Sequence, residues 1–310
     1  MPDLTALIHS AVLYSTPLIL AAIGGLYSER SGVVNIALEG LMIIGAFTAA
    51  VITLLTGSPW IGLAAAMVAG VLMAVPHAVA SITFKADQVV SGVAINFLAL
   101  GLSVYLVKYM YDGAGKTPTV PELFHQVPVP LLSDIPVIGP ALFNQFPTTY
   151  LAFLVVIATY VVLYHTPFGM RLRSVGEHPS AAETAGINVI RMRYIAVMIS
   201  GALAAAGGAG LSIAIGSEFG QTTVSGQGFI SLAALIFGKW HPLGVLGAAI
   251  FFGFSVSLAL IGQIYGWTQV VPSEVLSMLP YVLTLLALAG FVGRSEAPAA
   301  VGKPYEKGGR

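Results

Sequence analysis

Val33-Val34-Asn35-Ile36-Ala37-Leu38-Glu39-Gly40-Leu41-Met42-Ile43-Ile44-Gly45-Ala46-Phe47-Thr48-Ala49-Ala50-Val51-Ile52-Thr53-Leu54-Leu55-Thr56 is a run of 24 residues whose only charged side chain is Glu39. At 1.5 Å of rise per residue, a helix of this length reaches across the ~30 Å of a bilayer's hydrocarbon. The apolar residues do not alternate with polar ones, so the run does not read as a barrel strand. Comparable stretches recur at about 5–26, 60–83, 88–108, 148–166, 193–213, 228–238, 243–262 and 274–293. Of these, 228–238 is only about half a bilayer long. The expected fold is all-α: a polytopic membrane helical bundle of about nine (eight to ten) transmembrane helices.

The composition agrees with that reading. Apolar residues make up 57% of the 310 and charged ones 8%, with a mean hydropathy of +0.90. A soluble domain carries roughly 25% charged residues to cover its surface, and this chain could not do so without large apolar patches. Thirteen basic and thirteen acidic residues cancel, which leaves no basic field for nucleic acid. There is no cysteine, so disulfides, thiolate catalysis and Cys-based metal sites are excluded. His77 has no second histidine or carboxylate at helical metal-ligand spacing, and neither a metal nor another cofactor is expected. The N-terminus lacks a positive n-region and a cleavage site and reads as the first span.

Lysine and arginine favour the cytoplasmic side of short loops. With the N-terminus outside and nine crossings, the inner segments hold Arg30, Lys85, Arg171, Arg173, Arg191, Arg193, Lys239, Arg294, Lys303, Lys307 and Arg310, and the outer ones only Lys108 and Lys116. That bias fixes the expected topology: a transmembrane domain over 1–293, a structured outer loop over 109–147, an inner loop over 167–192, and a cytoplasmic tail over 294–310. Six prolines between 118 and 140 argue against a continuous helix in that outer loop.

Four blocks carry the polar residues. In Gly24 to Gly40, Asn35 and Glu39 are four apart and share a helix face. An acid that deep faces a bundle interior or a watery cavity, where it either lines a solute path or joins helices. In Asp87 to Asn96, the residues Gln88, Ser91 and Asn96 face inward, and joining helices is the favoured role. His77 reads as a packing residue. In Ser174 to Ile187, Ser180 and Glu183 form an S-x-x-E capping box that predicts a helix start at Ser180, with Gly186 closing it. Its small residues Ala181, Ala182 and Ala185 suit either docking into a partner's cleft or an ordinary loop helix. The fourth block, Gly226 to Gly244, repeats the Gly-x-x-x-Ile-x-Leu-x-x-Leu rhythm of Gly32 to Leu41 from the opposite side, the signature of an inverted repeat. Gly113-Ala114-Gly115-Lys116-Thr117 lacks the glycine that a phosphate-binding loop needs six residues before its lysine, where Met110 stands, so the chain itself is not expected to bind ATP.

Together these blocks resemble the permease subunits of ABC importers for branched-chain amino acids, simple sugars and nucleosides, and Gly25 to Gly40 is similar to the nucleoside branch. Gly176, Glu177, His178, Pro179, Ser180, Ala181, Ala182, Glu183, Thr184, Ala185 and Gly186 match the family's coupling loop, which contacts the ATPase. Gly228 to Gly238 matches its late block. The resemblance implies a translocation subunit and not an enzyme, with ATP hydrolysis on a separate ABC ATPase chain. It also implies a second, longer permease, giving a heterodimer, an extracytoplasmic substrate-binding lipoprotein, and residence in the bacterial inner membrane. The absence of strong charge deep in the spans fits a neutral solute such as a nucleoside. The candidate pathway residues are Asn35, Glu39, Gln88, Ser91, Asn96 and Phe229. The alternatives are a simple-sugar permease of the same family and, from another class, an ion-coupled secondary transporter with Glu39 as its acid.

Overall fold

Inside hydrocarbon each backbone amide must find its partner within the protein, so long apolar runs become long helices. The computed structural model describes residues 4–136, 138–264 and 296–306, with Pro272, Val275, Met278 and Val282 besides. In chain order these form α1 (Leu4–Arg30), α2 (Leu38–Thr56), α3 (Pro59–Ala78, continued by a π turn Val79–Thr83) and α4 (Gln88–Met110). A capping region follows, with β1 (Val127–Pro128), α5 (Ile138–Leu142) and β2 (Asn144–Gln145). Then come α6 (Pro147–His165), α7 (Pro167–Glu177), α8 (Pro179–Thr184) and α9 (Val189–Gly210, continued by a π turn Leu211–Ile215). The last described helices are α10 (Gln227–Phe237) and α11 (Pro242–Ile264).

Seven of these are long and apolar enough to cross a membrane: α1, α2, α3, α4, α6, α9 and α11. The half-length stretch expected at 228–238 is the eleven-residue α10. The ninth stretch, 274–293, lies outside the described residues apart from Val275, Met278 and Val282. The polytopic helical architecture is therefore as expected, with seven full-length helices among the described residues.

The helix ends follow local chemistry. Asp87 opens α4 by accepting the Val89 and Val90 amides at 2.9 Å, and Asn188 opens α9 by accepting the Arg191 amide. Proline occupies the first turn of α3, α6, α7 and α8, where its missing N–H costs no helical bond. Gly57 closes α2 at φ +67°.

The centre of the bundle is α1 and α9 crossing each other, with α2 and α3 packed on α9 and α10 and α11 on α1. Small residues make this possible. A Cβ on Gly45 would overlap the Ala205 backbone, one on Gly208 would overlap Met42 O, and Gly70 and Gly201 exclude side chains from one another. Close backbone approach of this kind supplies helix association where lipid offers no hydrophobic drive.

The two ends of the bundle differ in charge. Arg30 donates to Trp240 O, Arg193 donates to Ser31 O and Lys303 O, and Lys85 pairs with Glu306, so these cations gather at the end that carries α7 and α8. At the other end Lys116 pairs with Glu218. There the segment after α4 is stitched to the segment after α9. The Thr117, Val120 and Phe124 amides donate to Phe219 O, Ser217 O and Ile213 O.

Candidate functional site

Two places in the bundle leave the helical path. Between α1 and α2, residues 31–37 run as turn and extended chain, and between α9 and α10 residues 216–226 do the same. The two Gly-x-x-x-Ile-x-Leu-x-x-Leu blocks sit at these two breaks. α1 runs toward the α7–α8 end and α9 away from it, so the broken pairs have opposite sense. Non-helical backbone within a membrane bundle is tolerated only when protein or a watery cavity satisfies it, which makes its partners the informative residues.

The 31–40 passage draws its partners from three other helices. The Val34 amide donates to Gln88 Oε1 at 2.7 Å, and Val34 O accepts from His77 Nε2 at 3.1 Å. With that nitrogen donating, a neutral His77 accepts the Ser91 hydroxyl at Nδ1, 3.0 Å away. Asn96 closes the next step from both sides: its Nδ2 donates to Ile36 O at 3.0 Å and its Oδ1 accepts the Gly40 amide at 2.7 Å. Asn35 is fully buried. It accepts the Ala37 amide and donates to Ser200 Oγ on α9 at 2.7 Å. The π turn of α3 begins two residues after His77, a local irregularity of the kind often found beside functional positions.

Glu39 joins the two breaks. Its Oε1 accepts the Gly226 amide and its Oε2 the Gly228 amide, each at 2.7 Å, at the N-terminus of α10. These are donors that no helix can satisfy internally, and a carboxylate there also meets the positive end of the helix dipole. Gly228 is required for the fit, since a Cβ would collide with the Glu39 backbone. Higher up, Phe47 on α2 meets Phe219 edge-on, with ring centroids 5.6 Å apart.

Five of the six expected pathway residues, Asn35, Glu39, Gln88, Ser91 and Asn96, are thus brought together around one passage. Most of their polar atoms are engaged with backbone, and only Ser91 and Asn96 are partly open. Phe229 is different: it lies in the first turn of α10, 49% exposed, directly after the glycine against Glu39. Among the described residues no cluster of histidines and carboxylates could hold a metal ion.

Replacing Asn96 by alanine orphans the Gly40 amide and Ile36 carbonyl together. Each buried polar group left unpaired costs about 1–3 kcal/mol. The variant is expected to melt measurably lower in detergent, and Asn96→Asp, which keeps the acceptor, should recover part of the loss. An unchanged melting temperature in both would mean that water serves these groups equally well.

The α7–α8 end presents the second candidate surface. α8 spans Pro179–Thr184, which corrects the expected start at Ser180. Pro179, with φ pre-set and no N–H to lose, takes the first helical turn, and His178 becomes the N-cap without a side-chain bond. No capping box forms. The end is as expected: Gly186 at φ +82°, with the Ile187 amide on Ala182 O and the Gly186 amide on Glu183 O. Ala181 and Ala185 are exposed, but Ala182 is buried, so the small outward face is narrower than expected. A cleft of about 470 Å³ lies beside α8, lined by Met170, Arg173, Glu177, Ala181 and Ile187 among others. α7 presses on α1 so closely that a Cβ on Gly176 would overlap Arg30 O.

Several residues here were not singled out by the sequence. Glu29 accepts the Trp240 indole N–H and Arg30 holds the Trp240 carbonyl. Between them they fix the α10–α11 turn, whose Lys239 and Trp240 both have positive φ. Burial, and then the nearby Arg30 guanidinium, hold the imidazole of His241 in that turn below the ordinary histidine range. An acid–base pair at the end of an apolar run was the available signal.

The chain is 52% identical, over 99% of its length and 98% of the relative's, to the guanosine ABC transporter permease protein NupQ of Bacillus subtilis. It is 44% identical, over 98% of both chains, to the nucleoside ABC transporter permease protein NupC of Lactococcus lactis. No solved structure matches it significantly. Residues 7–288 match the family model described as branched-chain amino acid transport system / permease component. This multi-pass helical membrane chain, with its two broken helices joined at Glu39, therefore belongs to that permease family, as a transport subunit rather than an enzyme.

Proposed function

We propose that this chain is the membrane-spanning permease of an ATP-driven importer for nucleosides in a bacterial inner membrane. The observation that carries the reading is near-full-length identity to two permeases whose names specify guanosine and nucleosides. In this reading the α7–α8 end is cytoplasmic, in keeping with its cations. Residues Gly176 to Gly186 dock to a separate ABC ATPase, and the region over 109–147 faces a substrate-binding lipoprotein. A second, longer permease completes the path. Residues 1–293 form the transmembrane domain and 294–310 the cytoplasmic tail.

The mechanism proposed is alternating access. Closure of the ATPases pushes α8, α7 carries the push to Arg30 through the close contact at Gly176, and α1 passes it to the 31–40 passage. Because Glu39 ties that passage to α10, the two breaks move together and the solute path beside Phe229 and Asn96 changes side. Ser91 and Asn96 are the partly open polar groups of this shell, and they suit a neutral solute with donors and acceptors.

The test is uptake into proteoliposomes holding this chain with its partner permease, ATPase and binding protein. Guanosine should accumulate only with ATP, and a tenfold excess of other nucleosides should compete where glucose or leucine does not. Competition by sugar alone would make the chain a sugar permease, and uptake driven by an ion gradient without ATP would make it a secondary transporter.

A further inference from the structure

The described part of the tail, residues 296–306, does not hang free. The Ala300 amide donates to Gly176 O at 2.9 Å, the Ala299 amide to Glu177 Oε2 at 3.2 Å, and the Gly302 amide to Gly32 O at 3.3 Å. Ala300 is buried. At its far end Glu306 pairs with Lys85, between α3 and α4, at 2.9 Å. The tail thus touches the end of α7, the α1–α2 break and the α3–α4 turn, three elements that share no chain connection at this point.

Beneath it lies Arg193, at the start of the second turn of α9 and 1% exposed. Among the described residues no carboxylate pairs with this cation. Its Nε donates to Ser31 O at 3.2 Å and its Nη1 to Lys303 O at 3.1 Å, while the guanidinium faces the Tyr305 ring at 5.9 Å. Nη2 has no partner among the described residues. The space it occupies exists because position 32 is glycine at φ +92°, where a Cβ would lie 2.7 Å from Nη2. A buried charge held only by carbonyls is costly, and the best-attested use of such a group is to fix the register of the parts around it. A guanidinium suits this, since its fork reaches two segments at once where an ammonium presents a point charge.

We propose that Arg193 and residues 296–306 form a clasp that makes α7, the α1–α2 break, the α3–α4 turn and the base of α9 move as one body, with Arg193 its positioning residue. The inference rests on the importer reading above. It adds a second route from the coupling loop: through Ala300 and Gly302 the tail hands displacement of Gly176 directly to Gly32, where the break begins. Without the clasp, α8 could still dock and the ATPase could still turn over, but the movement would dissipate before reaching the 31–40 passage.

The experiment uses the full reconstituted complex and reads ATP hydrolysed per guanosine imported, alongside the amount of complex recovered. Removing residues 296–310 should leave hydrolysis within about twofold and cut uptake by about tenfold or more, so the ratio rises about tenfold. Arg193→Lys should shift it in the same direction by less. Because the chain has no cysteine, Lys85→Cys with Glu306→Cys can be bridged by a short bis-maleimide, and the bridged protein should transport normally. Uptake and hydrolysis falling together in proportion to lost complex would overturn the proposal, as would an unchanged ratio or a bridge that halts transport. If the unaltered complex shows no ATP-dependent uptake, it is the importer reading that fails.

Discussion

Glu39→Ala is expected to abolish ATP-driven uptake and to destabilise the protein by about 1–3 kcal/mol for the buried Gly228 amide left without an acceptor, with a smaller addition from the half-buried Gly226 amide. The figure sits toward its lower end if the unfolded chain in the membrane finds other partners, as polar groups there often do. Glu39→Gln is the sharper variant. It keeps the shape and one acceptor, but its NH₂ must face either the Gly226 or the Gly228 amide, donor against donor. Both variants should therefore behave alike, and Glu39→Asp, one methylene short of reaching both amides, should fall between them and the parent. Thermal unfolding in detergent, read beside uptake, separates the roles. If Glu39→Gln keeps full stability and solute-coupled hydrolysis yet imports nothing, the carboxylate contacts solute and is not a joint. If uptake survives intact, neither role holds.

Gly208→Val should have an effect as large for a steric reason. A Cβ at Gly208 would lie 1.9 Å from Met42 O, and one at Gly45 2.2 Å from Ala205 O, so α2 and α9 touch backbone to backbone along this line. Overpacking a well-filled contact costs about 1–3 kcal/mol when side chains can yield, and backbone cannot yield without moving both helices. Gly208→Ala is expected to lower the melting temperature clearly, and Gly208→Val to give no monodisperse protein. Gly101→Ala on α4, where nothing lies within 4 Å, is the control and should be tolerated, with up to about 1 kcal/mol gained in helix propensity. Equal tolerance at 208 and 101 would mean that α2 and α9 are not in contact.

These two predictions also mark what could be read from the sequence. The spans were legible because a run of about 20 apolar residues has few alternatives, and Asn35, Glu39, Gln88, Ser91 and Asn96 stood out as polar groups in apolar surroundings. Their shared purpose was not legible. The run from Val33 to Thr56 reads as one helix, yet the helix begins only at Leu38, because Gln88, His77 and Asn96, some 40–60 residues away in sequence, take over the backbone of the preceding segment. Periodicity carries no information about partners so distant. Arg193 likewise counted only as one inner-side charge, since nothing local distinguishes a buried cation from a solvated one. At α8 the error was one of competition: the S-x-x-E pattern was real, but a proline at the position before it had a stronger claim on the first turn.

The stitching of 117–124 to 213–219 has a practical consequence. An antibody fragment gripping the region after α4 would also hold the strand of chain that leads down to Gly226, and through it the seat of the Glu39 carboxylate. Fragments raised against 109–124 should therefore sort into conformational traps, each freezing one position of a segment they never touch, and would serve as fiducials for imaging those positions separately.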